Sequence, residues 1–166
     1  MPESIENAIA VGYERRNRAD MQPTIDYFES LLAQHPHSAL LVYEVGGAYD
    51  TAGQEEIAVG YYERALAAGL DGDPLRRCLL QYGSTLRNLD RFDESLAVLE
   101  RARAEFPESD SVRLFLALSL HAASRSDAAV AALVELAADR ITTPEVTRYE
   151  AALRANAAFL SNRNAP

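Results

Sequence analysis

The sequence predicts an all-α protein, a stack of four helix pairs closed by a C-terminal capping helix. Two observations carry that expectation: an internal repeat of 34 residues and, within the repeats, apolar residues spaced three or four apart. Sliding the 166-residue chain along itself aligns Val11-Gly12 with Val45-Gly46, Tyr82-Gly83 and Leu116-Ala117, at offsets of 34, 37 and 34. The same offsets relate Thr24, Ala58, Ser95 and Ala129, then Phe28, Tyr62, Leu99 and Leu133, then Leu31, Ala65, Ala102 and Leu136.

The first repeat spans about residues 5–38 and ends near Pro36, the place that Leu70, Pro107 and Ile141 take in the later ones. The second, 39–75, reads as two helices, Ala39 to Thr51 and Glu55 to Ala68, with Gly69 terminating the second. Leu41, Val45, Ala48 and Tyr49 line one helix and Ala58, Tyr62, Ala65 and Leu66 the other, so their apolar faces meet. The third repeat, 76–109, follows a three-residue insertion around Asp71-Gly72-Asp73-Pro74, read as a polar turn. The fourth, 110–143, is degenerate: Arg113 stands where an apolar residue is expected, and Ala117 replaces glycine. In 144–161, Val146, Tyr149, Leu153 and Leu160 share a face opposite Glu145, Arg148 and Glu150, and Thr143 before Pro144 is a helix start, so this segment is the cap.

The small residues Gly12, Gly46, Gly83 and Ala117 have a packing role. A mid-helix glycine costs up to about 1 kcal/mol against alanine, so three in register argue for a close helix crossing that an aromatic or leucine side chain opposite fills. Gly46 to Gly53 is not a phosphate loop, because no strand precedes it and no Lys-Ser/Thr pair follows.

A formal net charge of -9 and the lack of any basic run exclude nucleic acid as a partner. No stretch approaches ~20 apolar residues, which excludes a membrane span, and the first residues lack the pattern of a secretion signal. The expected location is the cytoplasm. The only cysteine, Cys78, allows no internal disulfide and reads as a thiol on a helix.

These residues resemble the tetratricopeptide repeat, whose 34-residue pattern runs Trp, Leu-Gly, Tyr, Ala, Phe, Ala and Pro. Val42, Val45, Gly46, Tyr49, Ala58, Tyr62 and Ala65 match it in the second repeat, and Leu79, Tyr82, Gly83, Leu86, Ser95, Leu99, Ala102 and Pro107 in the third. The first supplies Val11, Gly12, Thr24, Phe28 and Pro36, and the chain is similar to short stand-alone bacterial members of the family. The resemblance implies a right-handed α-α superhelix, with first helices lining a concave groove and second helices outside. The second helices are strongly acidic, while the first carry a slight excess of arginine.

Family geometry implies a groove faced by Ile9, Tyr13, Arg16 and Asn17, by Leu40, Tyr43, Gly47, Asp50 and Thr51, by Arg77, Leu80, Ser84, Arg87 and Asn88, and by Leu114, Leu118 and His121. Tyrosine platforms and guanidinium groups suit a peptide-binding surface. The expectation is therefore a protein-protein interaction module or adaptor that takes a peptide or partner protein bearing carboxylates, gripped by Arg77 and Arg87. The alternative is a homodimer formed through the fourth repeat and C-terminal helix. Chain-wide absence of lysine argues against the chaperone-tail clamp that some family members use. No spacing assembles a nucleophile and base, and His35 and His37 lack a third ligand, so neither catalysis, nor a metal, nor a cofactor is expected.

Overall fold

The computed structural model describes residues 4–163. Residues 1–3, before the first repeat, and 164–166, after the cap, lie outside it. Among the described residues the secondary structure is helical: α1 (Ile5–Glu14), α2 (Gln22–Gln34), α3 (Ala39–Thr51), α4 (Glu55–Ala67), α5 (Gly72–Asn88), α6 (Phe92–Glu105), α7 (Asp110–Ala122), α8 (Ser126–Arg140), α9 (Pro144–Arg148) and α10 (Glu150–Arg163). Consecutive helices pack as pairs. None is long and apolar enough to cross a membrane. The chain forms two compact units, Met1–Thr85 and Leu86–Pro166, with α5 running across the boundary.

In the first unit α1 and α3 open in the same way. Ser4 and Ser38 hold extended backbone, and each side chain accepts a bond from the third amide onward, that of Asn7 at 3.2 Å and of Leu41 at 3.3 Å. The end of α4 is a glycine cap. Gly69 takes φ +83°, and its N–H and that of Leu70 return to the carbonyls of Leu66 and Ala65, each at 3.2 Å.

Close packing explains the phased glycines. A Cβ on Gly12 would lie 2.6 Å from Phe28 Cζ, and one on Gly46 would lie 3.0 Å from Tyr61 Cβ and 3.1 Å from Tyr62 Cδ1. Aromatic rings of the second helices therefore occupy the space that these glycines leave. Ile9, Met21, Ile25, Phe28, Leu41, Val45 and Ala48 form the core beneath.

The second unit repeats the plan with variations. Ser109 caps α7 through the Val112 amide, and Leu96, Leu99, Leu116, Leu120 and Ala129 form its core. Arg113 is satisfied by an ion pair with Asp139 at 2.6 Å, and Asp139 also meets Arg154 of α10 at 2.9 Å. An arginine is thus tolerated at an apolar repeat position because α8 supplies its counter-charge.

Four expectations need correction. The insertion at 71–74 is not a turn: Gly72, Asp73 and Pro74 are wound into the start of α5, which reaches 17 residues against 13 for α3. Leu133 does not take the buried place of Phe28, Tyr62 and Leu99 but is 42% exposed, in the repeat where the buried Ala117 stands in place of the glycine. Tyr149 does not join the buried face of the cap, which breaks there into α9 and α10. It is 59% exposed, whereas on α10, which packs against α8, Ala157 is fully buried and Leu153 and Leu160 are half-buried. Ile9 and Tyr43 face the core, not the surface.

Candidate functional site

A cavity of about 190 Å³ opens in the first unit among α1, α3 and α5, with Tyr13, Arg16, Glu44, Thr51, Arg77 and Gln81 around it. Each element has a reason to point there. Tyr13 lies in the last turn of α1, where its ring packs edge-on to Phe28, and Arg16 follows in the connection to α2. Gly47 leaves the α3 wall bare, its nearest neighbour across the gap being Gln81 Oε1, 3.7 Å from where a Cβ would stand. The Thr51 hydroxyl turns back onto the Gly47 carbonyl at 2.8 Å.

Glu44 is the unexpected member. It is 3% exposed, and its carboxylate accepts a hydrogen bond from the Tyr13 hydroxyl. Burial pushes this carboxyl above the usual range, against the Tyr13 hydrogen bond and the charges of Arg77 and Arg16. Tyr13 is pushed up to about 12 by burial and by Glu44. Burial pulls Arg77 down, yet Tyr43, Tyr13 and Glu44 outweigh that and hold it above its ordinary value. Beside the cavity, the half-buried Asp50 accepts from the Tyr62 hydroxyl at 3.0 Å, and its carboxyl is raised by partial burial.

The two arginines are held by rings. The Arg16 guanidinium sits 5.1 Å from the centroid of Tyr13, and that of Arg77 sits 5.6 Å from the centroid of Tyr43. Among the described residues neither has a carboxylate within 4.0 Å, whereas eight other arginines, from Arg76 to Arg163, do. Their charge is oriented at the cavity without being neutralised at contact distance.

Of the residues expected in a groove, the structure brings Tyr13, Arg16, Tyr43 and Arg77 together. Tyr43 is 1% exposed and forms the floor under Arg77. Leu40 and Leu80 are half-buried, and Leu40 packs on the core with Ile9. Asn17 is exposed and accepts from the Ala19 amide at 3.0 Å, which shapes the turn. Arg87 and Asn88 belong to the second unit, where Arg87 lies 5.8 Å from the ring centroid of Phe115. Also in that unit, Leu114, Leu118 and His121 share one exposed face of α7, and His121 Nδ1 is 3.2 Å from Ser126 Oγ.

Glu44 and Gln81 escaped the sequence reading. The one signal for Glu44 was a lone acid inside Leu40-Leu41-Val42-Tyr43-Glu44-Val45, all but the first of which are buried. Cys78 is buried on α5, and His35 and His37 are exposed. Among the described residues no group of three or more His, Cys, Asp or Glu side chains is placed to hold a metal ion.

Comparison with known families matched residues 39–160 to the family model described as Tetratrico peptide repeat. A comparison with curated proteins found no match.

Proposed function

The chain belongs to the tetratricopeptide repeat family, and from that premise we propose that it docks a carboxylate-bearing segment of a partner protein in the α1–α3–α5 pocket of its first unit. Repeats of this family are generally protein-interaction modules and typically non-enzymatic scaffolds. One observation carries the finer reading: Arg16 and Arg77 are fixed on tyrosine faces at the cavity, with no carboxylate of the described chain at contact distance. A ligand carboxylate would complete them with charge-assisted hydrogen bonds. Arg87, expected to share this task, is a separate candidate contact in the second unit with Asn88 and His121. We assign the chain no catalytic role, and we place it in the cytoplasm, where a lone cysteine such as Cys78 stays reduced.

The test is affinity capture of a partner, followed by measurement of Kd with its acidic segment. Arg16→Ala with Arg77→Ala should weaken that binding at least about tenfold, since each hydrogen bond to a charged group is worth about 1.5–3 kcal/mol. An unchanged Kd would overturn the reading.

A second reading, a homodimer, is favoured by the distribution of apolar surface. Of the eight large apolar side chains exposed among the described residues, seven lie in the second unit, and Tyr149 and Phe159 are the most open at 59% and 64%. Light scattering behind a sizing column decides it: a monomer mass at every concentration excludes self-association.

A further inference from the structure

We infer that occupation of the α1–α3–α5 pocket by a carboxylate is coupled to uptake of a proton by Glu44, so that affinity for an acidic segment rises as pH falls. The inference rests on the reading of the pocket given above and specifies how it is regulated.

The geometry sets up the coupling. Glu44 borders the cavity that an incoming carboxylate must enter to reach Arg16 and Arg77. At 3% exposure it cannot turn outward into water to avoid a second anion. The groups facing it are few. From α1 and its following turn come Tyr13 and Arg16, and from α5 come Arg77 and the neutral Gln81. Its own helix supplies Tyr43 as a neighbour, with Asp50 further along, and α2 with the preceding Met21 contributes only uncharged Thr24 and Phe28.

With Glu44 ionised, the empty pocket holds two guanidinium groups and one carboxylate. A ligand carboxylate brings a second negative charge beside the first, and like charges at a shared site disfavour ionisation of the more buried one. Protonation of Glu44 removes that repulsion and leaves both arginines to the ligand. The neutral acid still offers a carbonyl oxygen to the Tyr13 hydroxyl, so the clasp between α1 and α3 survives. A ligand glutamate keeps its ordinary range near about pH 4.3, whereas burial raises that of Glu44, so as pH falls Glu44 takes up its proton before the ligand does. One linked proton limits the effect to at most about tenfold in affinity per unit of pH.

Two capped pentapeptides serve as probes, one with a single central glutamate among glycines and its glutamine counterpart, titrated by NMR between about pH 5 and pH 8. The expected result is that the glutamate peptide binds wild-type protein more tightly as pH falls. Glu44→Gln binds it more tightly than wild type near pH 8 and with no pH dependence. Calorimetry of wild type in two buffers of different ionisation enthalpy reads proton uptake directly, whether or not the variant folds. Binding of equal affinity at every pH without proton uptake overturns the coupling and leaves the acidic-segment reading intact. Absence of binding at any pH, or equal binding of the glutamine peptide, overturns both.

Discussion

Glu44 occupies a site that an apolar side chain would fill without electrostatic cost, and its burial has a consequence for stability as well as for binding. Its carboxyl is raised in the folded chain, so its favourable contribution is present below the unfolded glutamate range and is lost as pH rises through the higher folded value. Glu44→Gln keeps an acceptor for Tyr13 and removes that loss. Its thermal midpoint should therefore exceed that of wild type by more at pH 8 than at pH 5, and a gain for wild type on raising the pH would contradict the assignment. Glycines offer a paired test. Gly12→Ala puts a methyl 2.6 Å from the Phe28 ring, and overpacking of about 1–3 kcal/mol should outweigh a helix-propensity gain of up to about 1 kcal/mol. Gly60→Ala on α4 meets nothing within 4 Å and should stabilise by up to that gain, both read from urea midpoints. The role of Gly12 was legible in the sequence because it repeats in phase with its ring partner. That of Glu44 was not, since its surroundings come from Tyr13, Arg16 and Arg77 on other segments.

At the scale of the helix, Ser4, Ser38 and Ser109 recur at matching repeat positions, each capping a first helix. The third repeat has Leu75 in that register, and the insertion lets α5 begin a turn earlier. The insertion was visible in the sequence, but not whether it would be helix or turn, since Asp, Gly and Pro suit a first helical turn as well as a loop. The cap shows the same limit. Its existence follows from the need to cover α8, whereas the break at Tyr149 depends on how two short segments seat on that helix. Truncation after Thr143 should yield an aggregating or partly unfolded product, and a monomeric truncation with an unchanged thermal midpoint would rule the cap out. Ala157→Asp, which places a carboxylate at a fully buried contact, should cost more than about 2 kcal/mol in a denaturant melt.

Taken whole, the chain divides its chemistry unevenly. Met1–Thr85 carries six arginines against thirteen carboxylates, and Leu86–Pro166 ten against twelve. The proposed carboxylate pocket thus lies in the more acidic unit, and its attraction is local, which favours a ligand bearing one or two carboxylates over a long acidic tract. Repeat phasing made the helix pairs legible, whereas the division at α5 was not, because the repeat period runs through it unbroken. The rings packed around the glycines and arginines of the first unit have one more effect. Seven of the eight tyrosines lie in that unit, Tyr149 is the exception, and the chain has no tryptophan. Near-ultraviolet absorbance and intrinsic emission therefore watch one half of the molecule, while far-ultraviolet dichroism watches every helix. On heating, the optical and helical signals should part if the two halves melt separately and coincide if they melt as one, so the protein reports its own cooperativity without a label.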